Sequence, residues 1–270
     1  MPKIKFLGSG GAFTDFRENY HNNAIVGVGS GRWVLIDCGG TAVQSMKEMR
    51  IRPWHIEALI VTHLHGDHIA GIEQLAWERF YTGDEGPGWR ETTIVTPSPV
   101  YLGLRNCIEP CINEYTPRDG IARYGGFDEL FFVNCPGEGV EFTFGSAKFS
   151  FHRTPHVVGP GVDKPAYGVK IWDSGGSFYY TSDTTFRPNI GDLFPDVDLI
   201  FHDCAFYPHY PGTVHTHWEE LLKLPGDVRR KTVIMHHTRV PPGVDVRREG
   251  FFGAAERHSV FTSSRYGVSR

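Results

Sequence analysis

Nothing in this 270-residue chain approaches the roughly 18 uninterrupted apolar residues that a membrane span needs, so no transmembrane segment is expected. Nor is there an excess of basic charge. The 27 Lys and Arg against 31 Asp and Glu leave a net charge of -4, which gives no sequence-wide positive field for collecting polyanions by counterion release. Cysteine is scarce: Cys38, Cys107, Cys111, Cys135 and Cys204 are an odd number and scattered. With an opening Met1-Pro2-Lys3-Ile4 that has no basic-then-apolar leader, they fit a reducing cytoplasm and not a disulfide framework. Cys107 and Cys111 sit four apart, but no second pair of metal-binding spacing follows, so they are expected as ordinary buried thiols. Low-complexity linkers and repeats of solenoid period are absent too. The 40% hydrophobic and 13% aromatic content suffices for one large core, and residues 1–270 are expected to form a single domain.

What the chain does have is a succession of short β-rich runs between glycine turns. Residues 4–7, 24–28 and 33–37 read as strands around Gly8-Ser9-Gly10-Gly11 and Gly29-Ser30-Gly31. Residues 41–49 have helical spacing, 58–61 form a buried-looking strand, and 69–80 read as one helix closed by a polar loop at 82–90. A strand at 93–96 and a helix at 100–108 follow, and the Gly-, Pro- and charge-rich stretch 115–126 reads as surface loops or a lid. Two hairpins are expected, 140–144 with 148–151 and 167–172 with 178–181. Strands at 199–202 and 232–235 enclose a helix at 218–224. Strands followed by helix–strand pairs in each half imply an α/β architecture of two sheets face to face with helices outside.

His63 and His65 lie two apart just beyond the strand at 58–61, so in an extended chain both side chains point the same way; Asp67 and His68 follow a turn at Gly66. Three imidazoles and a carboxylate at the end of an apolar strand serve no packing purpose. Neutral imidazole and carboxylate suit zinc, and also iron or manganese, but two adjacent ions need about seven to eight ligands between them. Distant partners are therefore required. The candidates are His156 in Thr154-Pro155-His156, Asp183 in Tyr180-Thr181-Ser182-Asp183, and His236 or His237 after Val233-Ile234-Met235. Each is expected at the end of a strand, where loops gather on one rim.

The order His-x-His-x-Asp-His, then His, Asp and His, spread across most of the chain, resembles the metallo-β-lactamase superfamily. The resemblance implies a four-layer αβ/βα sandwich with its site where the two sheets meet, and two divalent metal ions, zinc being favoured over manganese or iron. His63, His65 and His156 would hold one ion, Asp67, His68 and His236 the other, and Asp183 would bridge both. Asp37, in Leu35-Ile36-Asp37-Cys38-Gly39, matches an early aspartate that supports the ligands from behind. The related pattern of His, any residue, then Ser or Thr fits His236-His237-Thr238 and favours His236, with His237 as the alternative.

Within the superfamily, Phe6-Leu7-Gly8-Ser9-Gly10-Gly11 with Arg17 and Asn23 looks like the start of the ribonuclease Z and cyclic-nucleotide phosphodiesterase branch. Phe201-His202-Asp203-Cys204 followed by Gly212-Thr213-Val214-His215-Thr216-His217 is similar to that branch's acidic residue and histidine loop. Carried over, Asp67, Asp203 and His215 would be catalytic: His215 would stabilise phosphoryl oxygens or protonate the leaving alkoxide, and Asp203 would orient and charge it. His217 either assists or partners the start of the helix at 218. Ribonuclease Z enzymes carry a long tRNA-gripping arm between the third and fourth motifs, whereas His156 and Asp183 lie only 27 positions apart. With the acidic charge balance, this points away from tRNA and towards a small phosphodiester such as a cyclic nucleotide, attacked by a metal-bridging hydroxide. Tyr81, Trp89, Phe206, Tyr207 and Tyr210 are placed to stack on a base or to pack at the rim. Three alternatives stand beside this reading. A lactonase or thioesterase needs the same seven ligands without the Asp203–His215 pair. A di-iron redox protein of the oxygen-reducing kind would carry an acidic residue where His65 stands. A non-catalytic binding module would have no use for the full ligand set. Homodimers are common among such enzymes, and 80–130 or 205–212 offer a contact.

Overall fold

The computed structural model describes residues 2–82, 92–118 and 121–263; of the loop expected at 82–90, Thr82 ends a helix and the remainder, Trp89 included, lies outside the described residues. The first half of the chain holds β1 (Lys3–Phe6), β2 (Ala24–Gly29), β3 (Arg32–Ile36), α1 (Ala42–Glu48), β4 (Ile56–Ile60), α2 (Gly66–Ile69), α3 (Ile72–Thr82) and β5 (Thr92–Val95). It continues through α4 (Ser98–Ile112), β6 (Glu114–Arg118), β7 (Ile121–Gly125), α5 (Phe127–Leu130) and β8 (Phe131–Asn134). The second half holds β9 (Phe142–Phe144), β10 (Ala147–Gly159), β11 (Val162–Asp173), β12 (Gly176–Tyr180), α6 (Ile190–Leu193) and β13 (Leu199–Asp203). After these come α7 (Trp218–Leu221), α8 (Gly226–Arg230), β14 (Thr232–Met235), β15 (Gly253–Ala254) and β16 (Val260–Thr262).

These strands form two seven-stranded sheets, β16-β1-β2-β3-β4-β5-β8 and β15-β14-β13-β12-β11-β10-β9. Each is antiparallel along one side, where hairpins connect neighbours, and parallel along the other, from β3 to β8 and from β12 to β15. The parallel strands are covered on both faces: Leu199–Asp203 and Thr232–Met235 are buried at every position, with apolar side chains giving way to His202 and Asp203 only at the end of β13. Phe6 of the first sheet meets Phe201 of the second with ring centroids 5.3 Å apart, in the core between the sheets. Met46 of α1, Leu75 of α3 and Leu104 of α4 bury against the first sheet, and Ile190, Trp218, Leu221 and Val228 of α6, α7 and α8 cover Ile200 and Ile234 of the second. The expected order of helices, sheet, sheet and helices is the one found. Among the described residues no helix is long and apolar enough to cross a membrane.

Several local expectations need correcting. The helix expected at 69–80 breaks into α2 and α3, because Gly71 N–H donates to Cys38 O at 2.8 Å and the chain there presses on the Gly39 carbonyl so closely that no Cβ fits. The expected loop at 115–126 is instead an antiparallel pair, β6 with β7, separate from both main sheets. The helix at 218 stops at Leu221. Cys107 and Cys111 are exposed on α4, not buried. Strand β10 does not end before His156 but runs to Gly159, so β10, β11 and β12 fill the interval to Asp183 without an inserted arm.

The β3 exit is where fold and site first meet. Asn23 Oδ1 accepts from Gly39 N–H at 2.8 Å and its Nδ2 donates to Asp67 O at 3.1 Å, clamping the segment after β3 to the His63–His68 loop. A Cβ at Gly39 would overlap the Asp67 carbonyl, whereas one at Gly40 would meet only His21 Cε1 at 4.0 Å. Gly39→Ala is therefore expected to cost about 1–3 kcal/mol, lowering Tm by several degrees in a thermal melt. Gly40→Ala should leave Tm nearly where it is; equal effects of the two would refute the close-packing argument.

Candidate metal centre

Three strands deliver side chains to one rim through residues with left-handed backbone: Asp37 (φ 59°) after β3, Ser182 (φ 55°) after β12, and His236 (φ 64°) after β14. For non-glycine residues this geometry costs on the order of 1–3 kcal/mol each and persists only where the surroundings enforce it. Here it turns the chain sharply at the sheet edge, so that a side chain leaving the strand points into the rim. His156 arrives by a different device. Register slips between Thr154 and Val157, and Pro155, with no N–H for the ladder, sits in the resulting bulge beside His156.

The side chains converge in two overlapping groups, each with donor atoms within 4.8 Å of one another: His63, His65, His156 and Asp183, and Asp67, His68, Asp183 and His236. Asp183 faces both. Its Oδ2 lies 3.5 Å from His63 Nε2 and 3.7 Å from His156 Nε2, while its Oδ1 lies 3.3 Å from Nε2 of both His68 and His236. Asp67 Oδ2 stands 3.3 Å from the same two Nε2 atoms. His65 Nδ1 approaches His156 Nε2 at 3.1 Å. His237 is not part of either group; it is buried against Phe206, ring centroids 5.8 Å apart, which separates the two histidines left open by the sequence.

The ring orientations are set from behind. Asp37, fully buried, accepts from Thr62 N–H (2.8 Å), from Thr62 Oγ1 (2.7 Å) and from His68 Nδ1 (2.8 Å). Because Thr62 spends its hydroxyl proton on Asp37, it can only accept from Ser182 Oγ (2.7 Å) and from His63 Nδ1 (3.1 Å). His63 therefore carries its proton on Nδ1 and presents the Nε2 lone pair to the cluster. His156 Nδ1 donates to Val214 O at 2.8 Å with the same result, and His236 Nδ1 faces Asp203 Oδ1 at 3.4 Å. Thr62 and Ser182 escape sequence reasoning because a hydroxyl beside a histidine or an aspartate is commonplace; the Thr62-His63 step is the one visible trace.

Charge follows the geometry. Burial lowers His63, and takes His65 and His156 down to about 4, so these rings are neutral donors near pH 7. Burial also opposes charge on His68 and His236, but the surrounding carboxylates, Asp183 foremost, outweigh it and raise both well above the ordinary imidazole range. Burial pushes the carboxyls of Asp67 and Asp183 upward, and the histidines overcome it and hold both below their ordinary values. Nε2 of His63, Nε2 of His68 and Oδ1 of Asp183 are buried without a hydrogen bond, although their neighbours are close. Unmade hydrogen bonds on buried polar atoms are costly, and atoms that converge on shared space are what a cation requires. The donors fit a dinuclear metal site.

Beside the cluster stands a second pair. His215 Nδ1 donates to Asp203 Oδ2 at 2.9 Å and lies 4.0 Å from Asp183 Oδ2. Asp203 Oδ2 also accepts from Thr184 N–H at 3.0 Å. Burial disfavours the charged form of His215, but Asp203 more than compensates and raises it, while burial of Asp203 is overcome by His215 and His236. His217, by contrast, serves the fold: its N–H donates to Glu220 Oε2 at 2.9 Å at the start of α7, and its ring bridges Tyr207 O and Thr213 Oγ1. Arg17 is exposed on Asp15 and does not reach the rim.

Two mixed seven-stranded sheets between helices, with a His/Asp cluster of this composition on their rim, define a metallo-β-lactamase-fold protein. The profile of the family described as "Anti-Pycsar protein Apyc1" matches residues 2–261, and the chain belongs to that family. It is similar to the Anti-Pycsar protein Apyc1 of Paenibacillus sp. (strain J14), 30% identical over 245 residues that cover 87% of this chain and 89% of that protein. Among solved structures it is similar to the metallo-β-lactamase-fold protein YhfI from Bacillus subtilis, with TM-score 0.72, 18% identity, and 96% and 98% of the two chains covered. It is also similar to the short form of human tRNase Z, with TM-score 0.67, 16% identity, and 97% and 99% covered. At such identities the last two likenesses bear on the fold alone.

Two measurements test the centre. His68 and His236, raised by their carboxylate neighbours, hold protons in the metal-free protein that a metal must displace. Titration with Zn2+ in calorimetry buffers of different ionisation enthalpy should therefore show proton release near neutral pH, with affinity falling as pH falls; proton-neutral loading would contradict the arrangement. Asp37→Ala, which removes the acceptor behind His68 and Thr62 without touching a converging atom, should weaken binding in a chelator competition by roughly 10- to 100-fold.

Proposed function

We propose that the protein is a dinuclear metal-dependent phosphodiesterase that opens a small, cyclic nucleotide-like phosphodiester. The observation that carries this is the Asp203–His215 pair set against the cluster, with His215 lining one cavity of 1290 Å³ together with Asp67, His65 and His236. Thioester hydrolysis, whose thiolate departs unprotonated, does not call for such a pair, whereas phosphodiester cleavage does, since the departing alkoxide is a poor leaving group without a proton. The family's anti-Pycsar designation implies a cyclic-nucleotide substrate, in keeping with the absence of an arm between His156 and Asp183. His65 retains imidazole where an oxygen-reducing di-iron protein of this fold would carry a carboxylate.

In this reading His63, His65 and His156 would hold one ion, Asp67, His68 and His236 the other, and Asp183 would offer one oxygen to each. Zinc suits the nitrogen-rich donors, with manganese or iron as substitutes. Two such ions, when bound, would supply Lewis-acid polarisation of the phosphoryl group and activation of water. The remaining work falls to the chain. Because His215 Nδ1–H donates a hydrogen bond to Asp203 Oδ2, Nε2 is the ring atom left to bind a phosphoryl oxygen or to protonate the leaving ribose oxygen. Asp203 fixes the ring and favours its charged form. Arg239, the one Lys or Arg lining the cavity among the described residues, adds attraction for an anionic substrate.

His215→Ala is expected to keep full metal content by elemental analysis while losing about 10²- to 10⁴-fold in kcat on a 3′,5′-cyclic nucleotide. Full activity in this variant would remove His215 from the mechanism. A wild-type protein that turns over lactones or thioesters but no phosphodiester would overturn the proposal as a whole.

A further inference from the structure

His215 differs from the residues at the strand exits: it lies in the segment between β13 and α7, where no ladder holds it. An imidazole that hands over a proton has to be fixed in place, because a displacement of about 1 Å can cost on the order of a hundred-fold in rate. What fixes it is a closed circuit of contacts. His215 Nδ1 donates to Asp203 Oδ2 at 2.9 Å, and the same oxygen accepts from Thr184 N–H at 3.0 Å. The Thr184 carbonyl accepts in turn from Thr216 Oγ1 at 2.9 Å, and Thr216 is the chain neighbour of His215. Thr184 therefore serves both ends through its own backbone, with N–H towards the carboxylate that holds the imidazole and C=O towards the chain that carries it. It directly follows Asp183, and Asp203, Thr184 and Thr216 are all fully buried.

We infer that Thr216 is a positioning residue that sets where His215 stands relative to Asp183, acting through the Thr184 carbonyl. The inference rests on the phosphodiesterase reading, in which His215 serves the leaving oxygen, and adds what holds it there. The segment reaches the rim without this hydroxyl. Thr216 O accepts from Ala205 N–H at 2.7 Å, Trp218 N–H donates to Ala205 O at 3.0 Å, and Val214 O, on the other flank of His215, accepts from His156 Nδ1 at 2.8 Å. Thr184 is anchored from its own side, since Thr185 N–H donates to Pro155 O at 2.7 Å, next to His156. The Thr216 hydroxyl thus adds one further constraint, the one that ties the His215 segment to the exit of β12. Valine has nearly the shape of threonine and no donor, so it opens the circuit and takes that donor from a buried carbonyl.

The test compares adenosine 3′,5′-cyclic phosphate, whose ribose oxygen needs a proton as it departs, with a p-nitrophenyl phosphodiester that the wild type also turns over, whose phenolate leaves without one. Thr216→Val should keep full metal content and lose about 10- to 100-fold in kcat on the cyclic nucleotide, with KM little changed and the activated ester nearly unaffected. Thr216→Ser, which keeps the hydroxyl and gives up only a methyl group, should restore the cyclic-nucleotide rate. An equal loss on both esters, or none on either, makes Thr216 a packing residue and overturns the inference. His215→Ala, measured alongside, separates the two levels of the argument. A contrast between the esters in His215→Ala but not in Thr216→Val sinks the positioning role alone, whereas no contrast in either variant removes the acid role of His215 on which it rests. A wild type that cleaves no phosphodiester brings down both.

Discussion

Four carboxylates, Asp37, Asp67, Asp183 and Asp203, are buried at one sheet rim with no more than 4% exposure, and the need to supply them with partners there governs the rest of the site. Desolvating a carboxylate costs several kcal/mol unless donors or cations surround it. Asp37 is satisfied by Thr62 and His68; Asp203 accepts from Thr184 N–H and His215 through Oδ2, while its Oδ1 faces His236 Nδ1 at 3.4 Å without a hydrogen bond. Asp67 and Asp183 have little besides histidine: His68 and His236 each stand between them, 3.3 Å from both. Among the described residues the two most crowded acids thus have no backbone donors to their side chains, and the positive charge beside them comes from histidine.

Holding so many charges in register requires a rigid frame, and the paired sheets provide it. In each, parallel strands buried on both faces run towards the same rim, and their ends carry the converging acids and histidine: Asp37 after β3, Asp183 after β12, Asp203 and His236 at the ends of β13 and β14. Left-handed residues at three of these exits store strain that the strands behind them pay for. The Asn23 clamp and the glycine contacts at Gly39 and Gly71 then fix the His63–His68 loop against the β3 exit.

Much of this was open to inspection in the sequence, for identifiable reasons. The two-sheet architecture follows from alternating β-rich runs and glycine turns. The group 63–68 stands out because imidazoles and a carboxylate at the end of Ala58-Leu59-Ile60-Val61 have no packing role, and the structure does bring its members together with His156, Asp183 and His236. What escaped depends on contacts between remote segments. The break at Gly71 exists because the Cys38–Gly39 backbone presses there, some thirty residues earlier in the chain, so helical spacing alone ran straight through it. Pro155 did signal an interruption of the ladder, but a bulge and a strand end look alike in one dimension, and β10 resumes beyond it. The exposure of Cys107 and Cys111 follows from helix phase, since Val100, Leu104, Ile108 and Ile112 form the buried stripe and leave them outside it. His236 and His237 differ not in type but in backbone, and only the positive φ at His236 decides which ring enters the cluster.

One carboxylate joins the interior of the site to its open side. Asp203 faces the cluster residue His236 through Oδ1 (3.4 Å) and the cavity-facing His215 through Oδ2 (2.9 Å), and its backbone N–H donates to Thr181 Oγ1 at 3.1 Å. The two imidazoles lie nearly parallel, with centroids 4.7 Å apart at 23°. Any change in the charge of one ring is therefore felt by the other through a shared, fully buried partner, so His215 cannot be tuned as an isolated acid.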